Sequence, residues 1–529
     1  MNDMKRYIAL APMLLAAVLG MAQAANDTIN RMVIVESTYN PIIAGAVKRN
    51  FIPEEVKPSM NRERVVYADE NVDLTNFDRT AKKATPAEMT TEKNMPGYVH
   101  LGYGNYNNLN ALAAYKWNIN ANHALALKAH TDGWNGKYRL SNNSKWHSYY
   151  YQAGLNADYG THLGDAALNA GIHVINYNYN YLYGSSQIAN DLGAYATVKG
   201  NVADRYKYRA TLSYDRFNYK SLAENHFHGK VSLGMDLYEW GLVEVQINSD
   251  VLSYQGTSKH NYFSLGITPQ WTYSYQDFQF ITGFNMDFQN RKKHPIQLSP
   301  ECSISYVPNK RFQALFTLDG GREFNTFSRL HERSPYWASV EPIRPTYTFM
   351  NAHLEGGIRI IDGLHLHLGG GYKVLADALF ELPLAGADGV YTGLFNHKAQ
   401  VATVDGKVSY THKDFISVGA KGTYHHWMLK SNHALLTRAP QLKVDFDARI
   451  RIIPNLYGYT NLYLVSFTST KTEPYERTII DWSLGANYAL NNNFSFFLDL
   501  HNLLNRRYSY YTGYPAQGFS ALVGAIVKF

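Results

Sequence analysis

Along most of the chain, apolar and polar residues alternate with a period of two. In the run from Phe519 to Phe529, Phe519, Ala521, Val523, Ala525, Val527 and Phe529 share one face of an extended chain, while Ser520, Leu522, Gly524, Ile526 and Lys528 share the other. Tyr206, Tyr208, Ala210, Leu212 and Tyr214 alternate with Lys207, Arg209, Thr211, Ser213 and Asp215. Val243, Val245, Ile247 and Val251 alternate with Glu244, Gln246, Asn248 and Asp250. Leu442, Val444, Phe446, Ala448, Ile450 and Ile452 alternate with Lys443, Asp445, Asp447, Arg449 and Arg451. Each run predicts a strand with one apolar and one polar face.

From Pro96 onward such runs, each roughly 10–14 residues long, follow one another about twenty-two times. A soluble sheet would bury its apolar faces in a shared core. Here every run carries its own apolar face, and no amphipathic helix is available to cover it. The pattern therefore predicts an all-β fold, an antiparallel transmembrane barrel of about twenty-two strands, because closure in lipid pairs every backbone group. Connection lengths alternate as well. Tight turns include Asn120-Ala121-Asn122, Pro308-Asn309-Lys310 and Asp362-Gly363; long loops include Gly133 to Trp146, Phe217 to Asn225, Glu323 to Thr348, Asp377 to Tyr391, Leu429 to Ala439 and Arg506 to Gln517. Short periplasmic turns and long outer loops are the rule for such barrels.

The segment before Pro96 differs. Lys5 and Arg6 precede an apolar run from Tyr7 to Leu19, followed by Ala22-Gln23-Ala24, which predicts a signal peptide over 1–24, cleaved after Ala24. Residues 25–95 are charged and punctuated by Pro53, Pro58 and Pro86, without regular alternation, and read as an extended arm in the periplasm or lumen. The barrel is expected over 96–529. Aromatic residues make up 14% of the chain, with 42 Tyr at a mean hydropathy of only −0.33, as interface girdles require. A single cysteine, Cys302, leaves no disulfide framework. The net charge of +7 is modest and, with export, gives no case for nucleic acid.

The stretch Leu500-His501-Asn502-Leu503-Leu504-Asn505-Arg506-Arg507-Tyr508, then Gly513-Tyr514-Pro515-Ala516-Gln517-Gly518 and the run to Phe529, resembles the C-terminal end of TonB-dependent receptors. Those proteins end their barrels on a similar N-L-x-x-[KR]-x-Y, G-[YW]-P-x-x-G and terminal Phe. Val33 to Glu36, Tyr39-Asn40-Pro41, Ala46 to Lys48, Gly97-Tyr98 and His130 to Trp134 resemble shorter, plug-lacking members from Bacteroidota. The resemblance implies a 22-stranded barrel, transport and a TonB partner. Only about seventy residues stand where the family carries a plug of roughly 120 to 150, so the use of TonB stays open. Asp27-Thr28-Ile29 has the short apolar character of a TonB-contacting segment, as does any such stretch near an exported N-terminus.

The chain carries no Walker-type loop, G-x-S-x-G or H-E-x-x-H, so neither enzyme nor cofactor is expected. His226 and His228 share a face, as do His365 and His367, but no carboxylate or cysteine joins either pair in sequence and no metal site is assigned. Lys207, Arg209, Asp215, Glu244, Asp250, Asp445, Asp447, Arg449 and Arg451 are the expected lumen-lining residues, and Phe529 the expected assembly signal, read by the barrel assembly machinery. Arg322, Arg329, Arg333, Tyr336, Trp337 and Arg344 could meet an anionic ligand or lipopolysaccharide from a long loop. The leading expectation is solute transport or ligand binding through a lumen partly filled by residues 25–95, helped by inward folding of the loop from Glu323 to Thr348. The alternative is a structural or assembly subunit whose barrel sits in outer-membrane lipid and whose arm holds a periplasmic or outer-membrane protein.

Overall fold

The structure, a computed structural model, describes residues 96–529 apart from 121, 141–143, 183–184, 204, 256–259, 291–294, 340–342, 387–388, 469–477 and 512. The expected signal peptide (1–24) and arm (25–95) lie outside the described residues. The chain forms a closed antiparallel barrel of 22 strands, with a further three-residue strand, β14 (Trp337–Ser339), lying parallel on β17 (Gly389–His412). Closure is made by β1 (Gly97–Gly104) and β23 (Ser520–Lys528), which pair from Tyr98 opposite Lys528 to Gly104 opposite Leu522. No helix among the described residues is long and apolar enough to cross a membrane.

The alternation read from sequence sets the faces. On β7 (Tyr206–Tyr219) Leu212 is 68% exposed on the outside, while Phe217 and Tyr219 are buried within. On β23 Val523 and Phe529 point outward, while Leu522 and Ile526 pack inside on Phe497 of β22 (Phe494–His501). Exposed aromatic residues gather toward the short-turn end, among them Tyr115, Trp117, Tyr238, Trp240, Trp271 and Phe494. An apolar outer band with an aromatic girdle is what a barrel in lipid presents.

Three of the expected long loops are mostly strand. β3 (His123–Arg139) and β4 (Lys145–Leu163) run on through the Gly133 to Trp146 region. β7 reaches Tyr219 and β8 (Leu222–Asp236) starts three residues later, and β16 (Leu364–Gly386) nearly meets β17. Crossing lipid takes only about 9–11 residues of strand, so these extensions stand beyond it. There the period-two signal fails because both faces are covered: Leu379, Phe380 and Glu381 are consecutive and all buried.

At the long-loop end, chain packs across the inside of the barrel. A β-bulge between Leu375 and Ala378 breaks the β16 register, with Asp377 at φ 52°, and bulged strands bend. Beyond it the β16–β17 hairpin reaches halfway round the closed sheet: the Tyr391 ring lies 5.1 Å from that of Tyr181, just after β5 (Ala166–Asn180). Beneath the hairpin, the Glu323 to Thr348 loop carries α1 (Phe327–Arg333) and β14, packed against the wall.

Candidate functional site

The outer end of the lumen is built by α1 and the surfaces that clasp it. Thr326 caps the helix, accepting from the Arg329 N–H, and the Phe327 N–H donates to Glu224 of β8 at 2.7 Å. Ser328 bonds Asp191 of β6 (Ser186–Val202), and on the hairpin side the Arg333 guanidinium pairs with Glu381. His331 sits among rings from the wall, 4.5 Å from Tyr177 and 5.4 Å from Tyr179 between centroids. It is 1% exposed with neither ring nitrogen bonded to a protein partner, so burial pushes its pKa down to about 3. Leu330 and Trp337 are buried in the same cluster, whose apolar contacts hold the segment in place.

The loop after β22 completes the cap. Asn502 ties it off, donating to the carbonyls of Arg506 and Gln517, both at 2.9 Å. Tyr508 and Tyr510 donate to Asp481 of β21 (Thr478–Ala489) at 2.8 and 3.2 Å. Gly513, at φ 84°, supplies a conformation other residues resist, and the next ring, Tyr514, stacks on Tyr336 with centroids 3.5 Å apart. The N-L-x-x-R-x-Y and G-Y-P residues noted in sequence thus hold this loop against β21 and against Tyr336, three residues past α1.

The nine residues expected to line the lumen are spread over three strands and are not brought together. Lys207, Arg209 and Asp215 lie on β7, and Glu244 and Asp250 on β9 (Leu242–Gln255). Glu244 accepts from Gln246 at 2.6 Å. Asp445, Asp447, Arg449 and Arg451 lie on β19 (Pro440–Ile453), far round the sheet. There Asn461 donates to Asp445 at 2.8 Å, Gly419 lies opposite Asp447, Arg449 sits 4.4 Å above the Tyr457 ring and Arg451 pairs with Asp414.

Two readings of side-chain chemistry change. The loop arginines each face a carboxylate: Arg322 meets Asp287 at 2.7 Å, Arg344 meets Asp377 at 3.1 Å, Arg329 pairs with Glu323 and Arg333 with Glu381. Tyr336 and Trp337 are buried, and Arg322 lies in the wall strand β13 (Phe312–Glu323). Second, a carboxylate does join one histidine pair: Asp250 accepts from His226 and His228, each at 2.9 Å. The register that puts Asp250 opposite His228 was not readable from either strand alone. Glu224 and Glu381 were missed for a different reason, since both fell in stretches expected to be loop.

No protein-family model and no curated protein matches the chain. Among solved structures, it is similar to the FrpB iron transporter of Neisseria meningitidis, with a TM-score of 0.64 at 12% identity over 83% of this chain and 82% of that one. A ferric enterobactin receptor (PfeA) of Pseudomonas aeruginosa gives 0.62 at 10% identity, over 82% and 80%. The copper transporter OprC gives 0.58 at 12%, over 82% and 80%. At such identities the likeness is one of fold. The chain has the closed 22-strand barrel fold of the TonB-dependent receptors.

Proposed function

We propose that the chain is an outer-membrane barrel that binds or moves a solute through a lumen closed at its outer end by α1, the β16–β17 hairpin and the loop after β22. The observation that carries this reading is α1 itself, clasped between Glu224 and Asp191 of one wall and Glu381 of a hairpin rooted on the opposite side. A bore as wide as 22 strands make it exceeds what wall side chains fill, and known examples are plugged. Packing three loops into the mouth keeps such a bore from leaking.

In this reading residues 1–24 direct export and are removed, and the barrel sits in outer-membrane lipid with its short turns in the periplasm. The assembly machinery recognises the strand ending at Phe529. Residues 25–95 narrow the lumen from the periplasmic side and are the segment through which TonB would act. The solutes of the similar structures, iron, ferric enterobactin and copper, give the class to try first.

The test is swelling of proteoliposomes in small uncharged solutes. Chain in which a short glycine-serine link replaces residues 326–343 should admit solute faster than the intact chain. Equal swelling by that variant, together with loss of a co-purifying protein when residues 25–95 are removed, would instead favour the anchoring role.

A further inference from the structure

Below α1, the wall strands β5 to β9 turn histidines and carboxylates into the lumen side by side. His173 of β5 lies 3.8 Å from Asp191 and 3.9 Å from Asp215. They meet over Gly193, where a Cβ would fall 2.2 Å from His173 Cε1 and 2.3 Å from Asp215 Oδ1. One strand further on, His226 Nε2 and His228 Nδ1 converge on a single oxygen, Asp250 Oδ1. The three ligand atoms lie within 4.8 Å of one another, the one such set among the described residues.

The strand geometry explains the convergence. Residues i and i+2 share a face, so both imidazoles reach the lumen; Asp250 stands directly opposite His228 and diagonal to His226. From the other side, register sets Asp215 opposite His226, where a carboxylate orients and strengthens a ligating imidazole. Three donors on a paired, rigid sheet hold their geometry, and the lumen side stays open for further ligands.

We propose that His226 Nε2, His228 Nδ1 and Asp250 Oδ1 bind one divalent first-row transition ion in the lumen wall. Two nitrogens and one carboxylate oxygen suit zinc, nickel or copper and exclude the all-oxygen preference of calcium or magnesium. The site lies next to the cap, since the Phe324 ring is 5.9 Å from His226 and Glu224, two residues along the same face, holds the first turn of α1. It depends on the wall alone and would bind whether or not the lumen conducts.

The experiment is calorimetric titration of zinc into the full chain, purified in detergent without a histidine tag, with copper(II) electron paramagnetic resonance as a second readout. One ion per barrel and a two-nitrogen copper signal are expected. Asp250→Asn should weaken zinc at least tenfold, His226→Ala or His228→Ala should abolish the signal, and His365→Ala with His367→Ala should change neither. Asp250→Asn keeps the side-chain shape, so it still reads the site if a histidine variant fails to fold, as heat-modifiable gel mobility would reveal. No zinc uptake by the intact chain, or equal uptake by the His226→Ala, His228→Ala, Asp250→Asn triple variant, would overturn the proposal.

Discussion

Gly97 and Phe529 exchange both of their backbone hydrogen bonds, the Gly97 N–H donating at 2.8 Å and the Phe529 N–H at 3.0 Å. The Phe529 ring lies where a Gly97 side chain would be, with its nearest atom 2.4 Å from the position of a Cβ, and stacks on Tyr115. One residue therefore pins the barrel seam by backbone and ring together. Deleting Phe529 should lower the amount of folded barrel in the outer membrane, and Gly97→Val, which displaces the ring, should lower it less. Unchanged abundance and gel mobility of both variants would remove Phe529 from assembly.

The faces of β19 make a depth-dependent prediction. Phe446 pairs with Leu462 of β20 (Leu456–Phe467) on the outer face, and Asp447 with Asn461 on the inner. Phe446→Arg should cost about 2–4 kcal/mol and impair assembly, while Asp447→Arg is tolerated far better. Heat-modifiable folding of the two variants reads the difference.

These faces were legible in sequence because lipid demands an apolar outer face, as on β7 and β19, while the inner face also takes apolar residues such as Leu522 and Ile526. The cap was less legible. The Glu323 to Thr348 loop was marked by its length, and Asn502, Tyr508 and Tyr514 by a family-like motif, but their partners were not. Asp377, Glu381 and Glu224 lie past the membrane, where strands continue without an apolar and a polar face, and only register reveals what they meet. The same holds for Asp250, whose inward face was plain and whose two histidine partners were not.

The Arg333–Glu381 pair is buried, at 5% and 2% side-chain exposure. Glu381→Gln leaves a buried cation without its counter-charge and should cost on the order of 3–5 kcal/mol of cap stability. Trypsin added to intact cells should then cut within α1. Adding Arg333→Met, which removes the orphaned charge, should restore protection.

His331 makes the cap acid-sensitive. Its pKa is about 3 when α1 is seated and returns to about 6.5 on release, so the released state binds the proton and the seated state does not. The His331 contribution to seating is whole above pH 6.5 and falls by about 1.4 kcal/mol per pH unit below it, down toward pH 3, while Glu224, whose pKa burial raises, acts in the opposite sense. Channel openings should become more frequent between pH 6 and 4.5, and His331→Leu should flatten that dependence.

In the proposed function, chain folded into the mouth keeps the bore shut. Asn325 Nδ2 donates to the Arg344 carbonyl at 2.7 Å, so the two ends of the crossing segment are neighbours. Residues 326–343 can therefore be replaced by a short glycine-serine link without pulling on β13 (Phe312–Glu323) or β15 (Thr346–Ile361). The most direct measurement is single-channel conductance of this variant in planar bilayers beside the intact chain. A folded barrel with larger unitary conductance is the predicted result; a folded barrel conducting no more than the intact chain would contradict the account.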